Sequence, residues 1–307
     1  MPAIYAIDAE YVRPRLAAVH LLIQDGRAAL VDSGTSKSLP QTLAALAAHG
    51  LKPADVDYVF LTHVHLDHAG GAGTLMRLLP NARCVLHPRG ARHMVDPSKL
   101  IAAAREVYGD TKFEALYGDL PPIAPNRIIT VEDGQRLYVG SCELTFLHTA
   151  GHANHHYCIV DKVGGAIFSG DTFGLSYREL DTENGPFILP TTTPSQFDPA
   201  AAHASIDRLM NYSPRAIYLT HYSRIDTHLS KLANDLHEQL DAYVAIAEKH
   251  VAAPERAQAM IEDLYAYTSE RLDRHGVRQD ARFRHEQLDG DIELNVQGLI
   301  VWLDRKL

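Results

Sequence analysis

Residues 61–71 read LTHVHLDHAGG, three histidines and an aspartate set between an apolar run and two glycines. Imidazole and carboxylate are the ligands of zinc, and they also suit iron and manganese. With the spacing His63-x-His65, two imidazoles on an extended or looped segment can turn toward one ion, while Asp67 and His68, one step further, can face a second. Gly70 and Gly71 let the chain turn closely around such a site. Four ionisable groups at the end of a buried strand would repel or desolvate one another unless an ion held them.

Other apolar runs end the same way: Asp32 in VDSG, His152 in LHTAGH, Asp171 in FSGD and His221 in LTHY. A strand is stiff, so a ligand at its end is held in place, and strands ending on one edge would bring these residues together. His152 would complete the set of His63 and His65, and His221 that of Asp67 and His68. The two oxygens of Asp171 could bridge both ions. Two ions a few ångströms apart lower the pKa of a shared water, so that a metal-bridging hydroxide is available at neutral pH to attack an ester, thioester or lactone carbonyl. Asp67 is the best placed to accept a proton from that water. His20, His49, His87, His93, His148, His203 and His228 read as ordinary solvated or hydrogen-bonded histidines.

The elements that must position these groups are legible as alternating runs. Two apolar stretches flank Asp25-Gly26, the signature of a tight hairpin. SLPQTLAALAAHGL predicts a helix with Ser38 at its N-cap, VDYVFLTH a strand, GTLMRLLP a helix and ARCVLHP a strand. HMVDPSKLIAAAREVYG reads as one helix. RIITVED, QRLYVG, CELTFLHT, HYCIVD and GAIFSGD read as strands, FDPAAAHASIDRLMNYS as a helix and AIYLTHY as a last strand. From residue 227 the spacing is helical throughout, ending in ELNVQGLIVWLDRKL. The expected organisation is an α/β metal-binding domain over residues 1–226 and a helical region over 227–307.

THVHLDHAGG resembles the signature of the metallo-β-lactamase superfamily, and VDSG, TAGH, SGD and THY follow in that family's order over about residues 15–225. The resemblance implies an αββα sandwich with two divalent ions, zinc foremost and iron or manganese as substitutes, at one edge of its sheets. Carried over by motif, His63, His65 and His152 hold one ion, Asp67, His68 and His221 hold the other, and Asp171 bridges. Asp32 would orient a ligand from behind, and His156 matches a further family histidine near the site. Tyr222 reads either as a hydrogen-bonding group beside the site or as a core tyrosine. Class B β-lactamases usually lack the histidine after the aspartate and carry Cys or His at the place of Asp171, so this chain looks like the hydroxyacylglutathione hydrolase, lactonase and RNase Z side. Flavodiiron proteins usually have Glu in place of His65. The segment after Asp171 lacks the Cys-Gly-Arg pattern of glutathione-thioester hydrolases. The longer 172–199 stretch reads either as a pocket wall, with Phe173, Tyr177, Arg178 and Phe187 as its residues, or as an ordinary surface excursion.

Composition narrows the partners. Across 307 residues, 29 Lys and Arg against 38 Asp and Glu give a net charge of −9, which disfavours nucleic acid and anionic membranes. Cys84, Cys142 and Cys158 sit in apolar stretches without CxxC spacing, as buried residues of a reducing compartment do. No basic n-region with an apolar h-region opens the chain. The expectation is a cytoplasmic enzyme with a small-molecule substrate, with homodimerisation through the C-terminal helices open. Rival readings are a phosphodiesterase or nuclease of the same fold, a mononuclear iron sulfur or persulfide oxygenase, and a non-catalytic binding module.

Overall fold

The computed structural model describes residues 1–192 and 195–306, with Val107 described by its backbone alone. A strand outside the expected set, β1 (Ala3–Asp8), comes first. The expected hairpin follows as β2 (Ala18–Gln24) and β3 (Arg27–Val31). Asp25 and Gly26 between them take positive φ, 53° and 73°, as a turn matching the strand twist requires. β4 (Val56–Phe60), β5 (Arg83–Leu86) and β6 (Ile128–Thr130) complete a mixed sheet ordered β1-β2-β3-β4-β5-β6, antiparallel from β1 to β3 and parallel beyond.

The second sheet holds β7 (Arg136–Val139), β8 (Cys142–His148), β9 (Tyr157–Asp161), β10 (Ala166–Gly170), β11 (Ala216–Leu219) and β12 (Ser223–Ile225), in the order β12-β11-β10-β9-β8-β7. It too is mixed, because β10 and β11 are parallel while β7 to β10 are antiparallel. One apolar core joins the two sheets, with Val19, Leu21 and Phe60 from the first and Leu144, Phe146, Ile159 and Phe168 from the second. Phe60 and Phe146 meet edge to face at 5.3 Å. Along β8 the period of two is clean, Cys142, Leu144 and Phe146 being buried and Glu143 and Thr145 half-exposed.

The chain divides into two compact units. Both sheets belong essentially to unit one, made of Met1–His148, His155–Gly170 and Pro214–Arg224. Its helices are α1 (Leu39–Ala48), α2 (Leu66–Ala69), α3 (Ala72–Leu78), α4 (Pro88–Val95), α5 (Ser98–Tyr108) and α6 (Asp110–Leu116). Two differ from expectation. Ser38 makes no side-chain cap on α1; its hydroxyl donates to the Ala9 carbonyl instead, and Thr35 caps a preceding short turn. The single helix expected over residues 93–109 is two, because Pro97 holds Asp96 in an extended conformation that ends α4.

Unit two comprises Thr149–Asn154, Asp171–Ser213 and Ile225–Leu307. It contains α7 (Pro199–Met210), α8 (Leu229–Lys249), α9 (Arg256–His275) and α10 (Ala281–Asp304). α10 begins well before the expected stretch. Asp198 caps α7 by accepting from the Ala201 amide, and Gly276, at φ 95°, stops α9. Leu236, Leu240, Tyr243, Leu264, Leu272, Leu288, Ile292 and Leu299 are the buried faces of α8, α9 and α10. No helix among the described residues is long and apolar enough to cross a membrane.

Candidate metal centre

β3 delivers Asp32 and β4 delivers Thr62 and His63 from adjacent parallel strands, which sets them side by side. The Asp32 amide donates to the Phe60 carbonyl at 2.7 Å. Its carboxylate, 1% exposed, is surrounded by donors: the Thr62 amide (2.8 Å), the Thr62 hydroxyl (2.9 Å), the Thr220 hydroxyl (2.8 Å) and His68 Nδ1 (2.8 Å). A carboxylate only accepts, so His68 carries its proton on Nδ1 and presents Nε2 as a lone pair. Asp32 thus lies behind His68.

His65 is the N-cap of α2, and Asp67 and His68 lie in that helix's single turn. The turn is clasped from behind, since the Ser33 amide donates to the His68 carbonyl at 2.7 Å and the Gly71 amide to the Gly34 carbonyl at 2.9 Å. A Cβ at Gly71 would lie 2.5 Å from the Thr35 carbonyl oxygen, so only glycine permits this approach. At the end of β11, His221 Nδ1 donates to the Leu16 carbonyl at 2.7 Å, leaving its Nε2 unprotonated.

Three donor atoms result from this folding. Asp67 Oδ2 lies 3.5 Å from His68 Nε2 and 3.4 Å from His221 Nε2, and the two nitrogens are 3.4 Å apart. Three corners of a tetrahedron around zinc, with bonds of about 2.1 Å, are separated by about 3.4 Å. These residues therefore fit a divalent ion, and they are the set the motif order assigned to the second one. His63 and His65 face each other through Nε2 and Nδ1 at 2.8 Å, also a chelating arrangement. The Thr62 hydroxyl is 3.2 Å from His63 Nδ1. His156, buried, stacks on His63 with ring centres 5.0 Å apart, and Tyr222 is half-buried beside His221 in the chain.

Within unit two, His152 and Asp171 are both buried and meet through Nε2 and Oδ2 at 3.3 Å. The 149–154 loop is pinned by α7: Ser205 donates to the Ala150 carbonyl at 2.6 Å, and a Cβ at Gly151 would be 2.5 Å from the Ala202 backbone. A small cavity of 20 Å³ beside the pair is lined by Thr172, Gly174, Ile206, Leu236 and Leu240. Phe173 and Tyr177 do not line it: they are buried inside unit two, and the Tyr177 hydroxyl donates to Asp291 at 2.8 Å. Arg178 donates to the Ser176 carbonyl, and Phe187 lines a different cavity of 610 Å³ with His228, Arg271 and His275.

Sequence reasoning missed four features. Thr62 and Thr220 were in plain sight, since Leu-Thr-His occurs twice, at 61–63 and 219–221, and both hydroxyls serve Asp32. His155 lies with its ring 5.7 Å from that of His65, and burial pushes its pKa down to about 3. Tyr11, Tyr108 and Tyr117 cluster in unit one, with Tyr11 and Tyr117 hydroxyls 3.0 Å apart. Burial raises the Tyr108 and Tyr117 phenols above their ordinary range, with Tyr11 and then the Asp67 charge adding to it at Tyr117 and Asp67 at Tyr108. Fourth, His203 and His237 meet on unit two, as described below.

A family model described as "Metallo-beta-lactamase superfamily" matches residues 12–221. The chain is 25% identical over 212 residues to the metallo-beta-lactamase fold-containing protein ST1585 of Sulfurisphaera tokodaii, covering 68% of this chain and 73% of that one. It is 28% identical over 205 residues to a hydroxyacylglutathione hydrolase of Xanthomonas euvesicatoria, covering 66% of this chain and 59% of the relative. Among solved structures, a metallo-beta-lactamase family protein of Thermus thermophilus superimposes with a TM-score of 0.69 at 22% identity, covering 99% of this chain and 93% of that one. The fold, two mixed sheets flanked by helices with further helices at the C-terminus, is the one the sequence motifs implied.

Proposed function

The chain belongs to the metallo-beta-lactamase superfamily, whose members are hydrolases, and on that premise we propose that it is a two-metal hydrolase of ester, thioester or lactone bonds in a small-molecule substrate. The observation that carries this is the triangle of Asp67 Oδ2, His68 Nε2 and His221 Nε2, with edges of 3.4–3.5 Å. Motif order assigns His63, His65 and His152 to the other ion and Asp171 to the bridge. When bound, such ions, zinc foremost, supply Lewis acidity that acidifies water and polarises a carbonyl.

The protein's own groups do the rest. Asp32 holds His68 in one tautomer, and the Leu16 carbonyl does the same for His221. Asp67, partly exposed at 24% of its side chain, is the carboxylate able to take a proton from attacking water and pass it to solvent. Tyr108 and Tyr117, kept protonated mainly by burial, lie within electrostatic reach of Asp67.

The test is hydrolysis of panels of aryl esters, acyl thioesters and lactones, with metal counted per chain. Hydrolysis that disappears on chelation and returns with zinc or manganese is expected. Full activity after both ions are stripped, or turnover of a phosphodiester alone, overturns the proposal.

A further inference from the structure

Four side chains on unit two form a cluster that the hydrolytic reading does not use. His203 and Asp207 lie one turn apart on α7, and His237 and Asp241 one turn apart on α8. The pairing is crossed. His203 Nε2 is 3.2 Å from Asp241 Oδ1, and His237 Nε2 is 3.1 Å from Asp207 Oδ1. Each helix thus supplies one imidazole and the carboxylate that backs the other helix's imidazole.

The protons follow from this. A carboxylate accepts only, so each Nε2 carries a hydrogen and each Nδ1 is left with a lone pair. Those two Nδ1 atoms face each other at 2.6 Å, with the ring planes 11° apart and the ring centres 4.9 Å apart, an end-to-end arrangement. Two lone pairs do not remain at that distance without a cation between them. Imidazoles whose far nitrogen donates to a carboxylate are the arrangement found around bound metal, where the carboxylate fixes the ring and raises its basicity. The imidazoles are 28% and 25% exposed, so an ion and its remaining waters have access.

We propose that His203 and His237 bind a divalent transition-metal ion through Nδ1, distinct from the family's centre, with Asp207 and Asp241 orienting the rings. Two nitrogens about 2.0–2.1 Å from an ion in tetrahedral geometry are about 3.3 Å apart, so to admit it the rings part by less than 1 Å and tilt to aim both lone pairs at the ion. Imidazole donors select zinc, nickel or copper over magnesium or calcium. The ion ties α7 to α8. Ala202 and Ile206 of α7 and Leu236 and Leu240 of α8 line the cavity beside His152 and Asp171, so the tie braces that wall.

Equilibrium dialysis against zinc, with zinc counted per chain, compares the full-length protein with its H203A/H237A variant. One zinc fewer per chain is expected in the variant, together with a smaller rise of the unfolding midpoint on zinc addition. Equal zinc content overturns the proposal and leaves a proton as the shared cation. Should the alanine variant lose helicity by circular dichroism, H203Q/H237Q, which keeps bulk and polarity, decides the matter by the same count.

Discussion

Two pairs of histidines in this chain have their outer nitrogens occupied by oxygen, and they are built for different strengths. His68 and His221 lean on a buried carboxylate and a backbone carbonyl. Asp32 behind His68 is 1% exposed and is itself fixed by Thr62 and Thr220. His203 and His237 lean on Asp241 and Asp207, whose side chains are 77% and 70% exposed. The first pair is oriented before an ion arrives, because strands and a buried hydrogen-bond network hold it. The second pair rests on two helices and on carboxylates that water competes for. Preorganisation, more than donor chemistry, separates the proposed hydrolytic site from the proposed surface site.

The sharpest way to break this contrast is His221→Ala. It removes one vertex of the donor triangle, so one metal equivalent is expected to be lost and ester or lactone hydrolysis to fall to background. Unchanged metal content, measured by elemental analysis on folded protein, would show that the triangle is not a site.

His20 sharpens the contrast from the other side, as a buried imidazole whose Nε2 has no hydrogen-bond partner among the described residues. It packs against Phe168 and Tyr218 with ring centres 5.6 Å away, and burial pushes its pKa down to about 4, with the Asp32 charge only partly opposing. An unfolded His20 takes up a proton near pH 6.5, whereas the native one takes it up only near 4. Stability is therefore lost as pH falls through that window, by about 3 kcal/mol at its lower end, and nothing is lost above it. In urea unfolding, His20→Phe is expected to flatten the decline between pH 7 and pH 4.5. An equally steep decline in the variant would refute the assignment.

Asp32→Asn should weaken the proposed site at His68 and His221 without removing a donor of the triangle. The amide nitrogen would face a hydroxyl or the His68 N–H in place of an acceptor, disturbing the tautomer that frees Nε2. Zinc affinity, read by competition with a chromophoric chelator, is expected to drop by about 10- to 100-fold. A change below twofold would mean that Asp32 merely braces the strands.

What the sequence made legible follows from local physics. Apolar runs ending in His or Asp announced strands with a ligand at the tip, and the turn at Asp25-Gly26 announced its hairpin. β1 stayed hidden although Ala3-Ile4-Tyr5-Ala6-Ile7 is an apolar run, because a short run without polar alternation carries no period-two signal. The break at Asp96-Pro97 was written in the sequence, and the helical spacing on either side masked it. Thr62 and Thr220 gain meaning only when strands distant in sequence converge on Asp32. Tyr11 and Tyr117 are likewise far apart in the chain. Phe173 and Tyr177, read as pocket walls from their place in a long segment, are core residues of unit two, where burial of an aromatic ring outweighs display. His203 read as an ordinary surface histidine because its partner stands 34 positions away on another helix.

The smallest effect lies at that second pair and tests the contrast most finely. Asp241→Asn replaces one exposed carboxylate with a neutral amide, which still offers His203 Nε2 an acceptor oxygen. Because that carboxylate already competes with water, its charge contributes little orientation, and zinc affinity at the His203–His237 pair is expected to fall by about threefold, below the range for buried partners. Titration of zinc into protein whose tighter sites are already filled isolates the weaker event. A loss as large as that of Asp32→Asn would show that exposure does not diminish a backing carboxylate, and the distinction between the two pairs would have to rest on strand rigidity alone.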